Sequence, residues 1–383
     1  MPVRHYRRLL AAVIALIAYG SLFPFTFRSS PDFRDFFFIP GGSGGFRDVL
    51  LNLLLYVPIG FLAFHSVGRG GRPTRVAVAA IFGTAISGMI ELLQAFDPPR
   101  DCGISDIVCN GLGALMGAMA AAVWHAGAPP ALRLSARARA RAPAFVLLFW
   151  ILFQLFPLMP EVHVHFALSR ARMGMRQWSG FEAALFAVDW LTALLLLAEV
   201  IPERFTRAAA LLVFLAPVKA IVFSRQATLS ELMGAAAAAV AFLLLARSQG
   251  VVRVFPVVLL LALIARELAP FHVTGHAPFL WMPFAATLAG ERLSATAILL
   301  RKVFVYGAAI QFASRAWRHI WLATGAIAAL LFALEWIQRA MPARTPEITD
   351  SVLALLMGAA LALLRRERHR SDETRQTEPQ RVR

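Results

Sequence analysis

The sequence predicts an all-α, polytopic transmembrane helical bundle of about twelve spans, built as three four-helix units with both termini on the cytoplasmic side, and three observations predict it. The 383 residues are 59% hydrophobic and only 16% charged, with a mean hydropathy of +0.66; an ordinary soluble domain is roughly 45–50% apolar and about a quarter charged. The apolar runs have the length a helix needs to cross a hydrocarbon core, about 20 residues for about 30 Å. A set of polar residues also recurs along the chain at fixed spacing.

Apolar runs bounded by charge, Gly and Pro place the spans near 9–27, 46–66, 76–95, 104–125, 143–159, 179–200, 207–223, 229–246, 252–269, 294–313, 319–338 and 348–364. The first follows a basic segment (Arg4, Arg7, Arg8) and resembles a signal peptide. No small-residue cleavage site follows it, and the apolar stretch continues into Ser21-Leu22-Phe23-Pro24-Phe25, so an uncleaved span is expected. Alternate connections collect the arginines: Arg69, Arg72 and Arg75; Arg133 to Arg141; Arg204 and Arg207; Arg247 and Arg253; Arg315 and Arg318; and Arg365 to Arg370. By the positive-inside rule that side is cytoplasmic. The opposite connections are mixed in sign, apart from a basic loop with Arg170, Arg172 and Arg176. The net charge of +16 is therefore topological, in short clusters between apolar runs, and argues against a nucleic-acid partner. The polar tail, 367–383, is expected to be disordered.

Glu91, Gln94, Arg100, Ser105 and Asp106 recur at identical spacing as Glu335, Gln338, Arg344, Thr349 and Asp350. Upstream, Leu22-Phe23-Pro24-Phe25 is answered by Leu268-Ala269-Pro270-Phe271, and Asn52 with Tyr56 by Lys302 with Tyr306. A fainter copy holds Leu155-Phe156-Pro157, then Arg225, Ser230 and Glu231, with Ala216 and Lys219 at the Glu and Gln places. The expected units are 1–130 with the best motif, 140–248 degenerate and 250–366 partial. Four spans each restore the starting side, so the units run parallel, an arrangement that also occurs in transporters.

The residues to explain are Asn52, Glu91, Gln94, Arg100, Ser105, Asp106 and Asn110. Glu91 and Gln94, three apart, share a helical face, as do Asp106 and Asn110, four apart, and a short loop holds Arg100 between the pairs. Ionisable groups at the edge of a span are costly and usually paired or functional, which points to a binding site at the non-cytoplasmic face. A structural reading stands beside it: Ser105, Thr349 and Ser230 precede acidic residues at helix starts, the chemistry of an N-cap, and a Glu–Arg–Asp network can clamp a helical hairpin. The first unit alone combines Asn52, Pro58 with Gly60, and Asn110, and is expected to hold the site. Asp189 stands at the Asn52 place of the middle unit.

Other groups suggest no cofactor or metal. Cys102 and Cys109 lack metal-ligand spacing. His163, His165, His272 and His276 have no acidic partner at a familiar spacing. Gly41-Gly42-Ser43-Gly44-Gly45 reads as a flexible loop and not a phosphate loop.

On these residues the chain resembles the VanZ-like family of bacterial membrane proteins. The resemblance rests on Ser21-Leu22-Phe23-Pro24-Phe25, Asp48 with Asn52, Pro58-Ile59-Gly60-Phe61, Glu91 with Gln94, Arg100, Ser105, Asp106, and Asn110 with Gly111. It covers residues 10 to 125 well and 255 to 364 in part. The family includes a member associated with resistance to teicoplanin, and others resemble envelope or surface-polysaccharide accessory proteins. The resemblance implies a bacterial inner-membrane protein of envelope biology. The residues then suggest that it binds a membrane lipid, or a lipid-linked or anionic envelope component, at the outer leaflet, with Arg100 on phosphate or carboxylate. Two alternatives stay open: an enzyme on a lipid-linked substrate with Glu91 or Asp106 as general base, and a transporter or scaffold.

Overall fold

The computed structural model describes residues 3–33, 36–37, 42–68, 70–97, 102–125, 141–156, 169, 172–201, 209, 228–245, 249–269, 271–273, 275–289, 292–341 and 344–376. These are overwhelmingly helical, and the one β-bridge among them joins Leu280 to Glu347. The chain divides into two compact units, Met1–Arg133 and Leu134–Arg383.

The first unit holds α1 (Val3–Leu22), α2 (Gly42–Ser66), α3 (Arg72–Gln94) and α4 (Ile104–His125). α1 stops at Leu22, short of the predicted 27, because Pro24 has no N–H to continue the ladder and disfavours helical geometry before it. Phe25 then takes a left-handed backbone, φ 65°, closing a turn through its N–H to Leu22 O at 2.8 Å. Gly42 to Gly45, expected in a loop, form the first turn of α2. Pro73 in the first turn of α3 costs no hydrogen bond, since the N–H groups there have no partner within the helix.

The seam of this unit is α2 against α4, and glycine makes it. A Cβ at Gly113 would lie 2.1 Å from the carbonyl oxygen of Leu53, and one at Gly117 2.0 Å from that of Val57. From the other side, a Cβ at Gly60 would meet the Ala114 carbonyl oxygen at 1.8 Å. Helices approach this closely in a membrane through small residues four apart, because dispersion contacts replace the hydrophobic effect there.

The second unit holds α5 (Arg141–Leu155), α6 (Gly180–Val200), α7 (Leu229–Leu245), α8 (Gln249–Leu268), the short α9 (Ala285–Ala289), α10 (Arg292–Ala316), α11 (Ile320–Gln338) and α12 (Thr349–Gln376). α5 packs on α10 and α6, and α8 on α10, α11 and α6. One core therefore runs through both halves, with Trp150 and Trp190 edge to face at 4.7 Å. α12 runs on past its apolar part to Gln376, so the tail expected to be disordered from 367 is helical to 376. That stretch contains neither Gly nor Pro and has several Arg and Glu, which are good helix formers; 377–383 lie outside the described residues.

Eleven of the twelve predicted segments fall on helices, and the seventh, 207–223, lies outside the described residues except for 209. Among the described residues, five helical segments are long and apolar enough to cross a membrane: Arg72–Gln94, Ile104–Ala122, Gly180–Val200, Ser294–Ala316 and Ile320–Gln338. Leu51–Ser66, Arg141–Leu155 and Leu229–Leu244 are apolar but shorter. Large apolar side chains such as Ile81, Met89, Leu243 and Leu322 stand exposed on these helices, as lipid-facing residues do. The fold is that of a multi-pass membrane protein.

Candidate functional site

In the first unit Glu91, Gln94, Ser105 and Asp106 lie at one end of the helices, near the end of α3 and the start of α4. Glu91, in the last turn of α3, is buried and accepts the Gly103 N–H at 2.9 Å through Oε2. That N–H stands just before α4, where backbone donors have no partner inside the helix. Gln94, also buried, donates through Nε2 to Ser21 O at 2.8 Å, one of the carbonyls left over at the end of α1. Together the two side chains tie α1, α3 and the start of α4. The loop after α1 crosses the same end: Arg28 N–H donates to Phe96 O and Asp32 N–H to Ala95 O, both at 2.7 Å, and Thr26 Oγ1 donates to Asp97 Oδ1 at 2.6 Å. Cys102, buried and outside any disulfide among the described residues, reaches Asp32 O at 3.4 Å.

Beside this tie lies a second polar chain. Asn110 Nδ2 on α4 donates to Ser87 Oγ on α3 at 2.9 Å, and Tyr56 on α2 also hydrogen-bonds Ser87. Glu91 and Asp106 are close enough to Tyr56 to act on it electrostatically. Asn52 is one turn before Tyr56 on α2, and Ser105 and Asp106 stand in the first turn of α4. Among the described residues, Asn52 Nδ2, Gln94 Oε1, Asn110 Oδ1 and Asp97 Oδ2 are buried without a hydrogen-bond partner. Such a group costs about 1–3 kcal/mol. Arg100 lies outside the described residues. A groove of about 520 Å³, lined by Arg28, Ser30, Pro31, Asp32 and Phe33, opens at this end.

The second unit repeats several of these bonds. Glu335 Oε2 accepts the Glu347 N–H at 2.9 Å, and Gln338 Nε2 donates to Glu267 O at 3.0 Å. Phe271 has φ 65° and donates to Leu268 O at 2.8 Å, as Phe25 does to Leu22 O. Arg344 Nη2 donates to Ala269 O at 2.6 Å and Arg266 O at 3.3 Å, the spare carbonyls at the end of α8. Thr349 Oγ1 accepts the Phe284 N–H at 2.6 Å, and further up the chain Ser230 Oγ accepts the Ser179 N–H at 2.8 Å. Ala216, Lys219 and Arg225 lie outside the described residues.

The second unit differs where Asn52 would be. Lys302 donates to Asp350 Oδ1 at 2.5 Å, and Tyr306 donates to Asp350 Oδ2 at 2.7 Å. Glu335 lies close enough to Asp350 for the two carboxyl groups to interact. Asp189 pairs with Arg266 at 2.8 Å, and Glu199 with Arg315.

Sequence reasoning used Tyr56 and Tyr306 only as markers of the repeat, and missed Ser87, Asp97 and Glu267 as members of the networks. Glu267 carried a signal, a charge beside Arg266 near the end of an apolar run. Among the described residues no group of three or more His, Cys, Asp or Glu is arranged to hold a metal ion. His163 and His165 lie outside them.

Residues 7–125 match the family model described as VanZ/LLP1. No curated protein and no solved structure matches the chain.

Proposed function

Because residues 7–125 form a domain of the VanZ-like family, we propose that this multi-pass protein sits in a bacterial inner membrane and binds an anionic or lipid-linked envelope component at the outer ends of α2, α3 and α4. The observation that carries the reading is the set of polar atoms on Asn52, Gln94 and Asn110 that are buried and have no hydrogen-bond partner among the described residues. They offer one donor and two acceptors at the end of the unit where the groove with Arg28 opens. Arg28 and Arg100 supply the guanidinium groups that recognise phosphate or carboxylate, by paired charge-assisted hydrogen bonds. Glu91 and Gln94 position the site, since their ties hold α1, α3 and α4 in register.

The same proposal reads the chain as tandem copies of one four-helix unit running parallel, with both termini inside. Support comes from the paired bonds: Glu91 and Glu335 on backbone N–H groups, Gln94 and Gln338 on carbonyls at the end of the unit's first helix, and Phe25 and Phe271 in the same turn.

A purely structural clamp is the second reading, favoured by the recurrence of those bonds where Asn52 and Asn110 are replaced by Lys302 and Ala354. The test is complementation of a deletion strain. Asn52→Ala and Arg100→Ala should abolish the envelope phenotype while membrane level and thermal stability hold. Loss of both variants from the membrane would establish the clamp instead.

A further inference from the structure

The second unit contains a polar cavity lined in part by its copy of the recurrent motif, Glu335, Gln338 and Arg344, and in part by residues outside the motif, Arg301 among them. It has a volume of about 380 Å³ and lies among α8, α10 and α11, at the small end of the roughly 300–1,000 Å³ usual for ligand pockets. Its carboxylates are already engaged. Glu267 accepts from Gln338 Nε2 at 3.2 Å and faces the Tyr306 hydroxyl at 3.5 Å. Glu335 accepts the Glu347 N–H, and Glu347 accepts from Ala286 N at 3.0 Å and Thr287 Oγ1 at 3.2 Å. Lys302 is committed to Asp350, and Arg266 pairs with Asp189.

Arg301 is different. It lines the cavity, its Nε is buried without a hydrogen-bond partner, and no ion pair reaches it among the described residues. Arg344, on the same cavity, donates to neutral carbonyls. The unspent capacity here is cationic. Asp189, Glu267 and Glu231 act on the Arg301 guanidinium from beyond ion-pair distance, and bound anionic oxygen in direct contact would offset the cost of holding it within a bundle. Leu263, Ile298 and Val305 add an apolar wall, and Ile298 is half exposed on the outside of the bundle.

The aromatic and basic residues beside the cavity bear on the source of the anion. Gln338 lines it, and next to Gln338 on the chain Arg339 lies 4.3 Å over the ring of Trp336. Trp336 packs with Phe279 and Phe332, and Phe279 with Trp281, which is 63% exposed. Trp at the rim of an apolar helix bundle, with a basic side chain beside it, marks the level of lipid headgroups.

We propose that the cavity among α8, α10 and α11 is a phosphate site that takes the phosphate of a phospholipid headgroup, with Arg301 as the residue that engages it and Arg344 opposite. This site is separate from the one in the first unit and stands whether or not that one binds.

The full chain, purified and delipidated in an uncharged detergent, is titrated calorimetrically with dihexanoylphosphatidylglycerol, dihexanoylglycerol and inorganic phosphate. Wild-type protein should bind the phospholipid and not the phosphate-free glycerolipid. Arg301→Gln should weaken binding roughly tenfold or more, the scale of one charge-assisted hydrogen bond, and Arg301→Lys should weaken it less. Inorganic phosphate that binds as tightly as the lipid, and is lost in Arg301→Gln, keeps the phosphate site and makes the free anion its ligand. Equal binding of dihexanoylglycerol, or phospholipid binding unchanged in Arg301→Gln, overturns the proposal, as does binding lost in Arg100→Ala but kept in Arg301→Gln. If Arg301→Gln does not fold, the comparison of phospholipid with glycerolipid on wild-type protein decides.

Discussion

Glu91 can be changed in two ways that separate its charge from its hydrogen bond. Its Oε2 lies 2.9 Å from the Gly103 nitrogen, across the turn between α3 and α4. Glu91→Ala removes that acceptor and leaves the N–H and the neighbouring buried volume unfilled; a hydrogen bond to a charged group is worth about 1.5–3 kcal/mol, so about 2 kcal/mol is expected. Glu91→Gln keeps a carbonyl oxygen at the same reach, and its cost should stay under about 1 kcal/mol. For a unit of about 130 residues, 2 kcal/mol corresponds to a midpoint shift of roughly 6–10 °C. The assay is size-exclusion chromatography of the detergent-solubilised protein after a series of heating steps, run on wild type and both variants. A wild-type midpoint in Glu91→Ala, or a fall in Glu91→Gln as large as that in Glu91→Ala, would refute the clamp geometry.

Gly117→Leu should destabilise the first unit by about 1–3 kcal/mol, as overpacking does, because a Cβ 2.0 Å from the Val57 oxygen forces α2 and α4 apart by more than an ångström; the same heating series measures it. Lys302→Met strands the Asp350 carboxylate beside Glu335 and should cost about 3–5 kcal/mol. The double variant with Asp350→Asn should recover a large part of that loss, read as a rise in midpoint over the single variant.

The helical, membrane-embedded character of the chain was legible because apolar runs of membrane length need no tertiary information. The spacing of Glu91, Gln94, Ser105 and Asp106 was legible too, and so was its echo from Glu335 to Asp350. The partners were not. Glu91 and Glu335 each bond a backbone N–H twelve residues on, and Gln94 and Gln338 each bond a carbonyl more than seventy residues back. Backbone groups leave no mark in a sequence, so residues that look like a cluster of functional side chains prove to be ties as well. The end of the first span was misplaced because Phe23 to Phe27 is apolar throughout, except for Pro24 and Thr26, while helix geometry already fails at Pro24. Gly113 and Gly117 read as small residues in a span, and their role as the seam with α2 depends on which helix they face.

The choice of the first unit as the site rested on its fuller motif. Arg301 beside Lys302 reads in sequence as an ordinary basic pair. Only the fold shows that Lys302 is consumed by Asp350 while Arg301 faces a cavity bounded from α8, more than thirty residues away.

The most direct test of a ligand at the first unit is lipidomic analysis of what co-purifies with wild-type protein, with Arg100→Ala and with Arg301→Gln, each extracted in the same mild detergent. Wild type should carry a phosphate- or carboxylate-bearing lipid that is lost in Arg100→Ala and kept in Arg301→Gln. Identical lipid profiles for wild type and Arg100→Ala, from folded protein at equal yield, would contradict it.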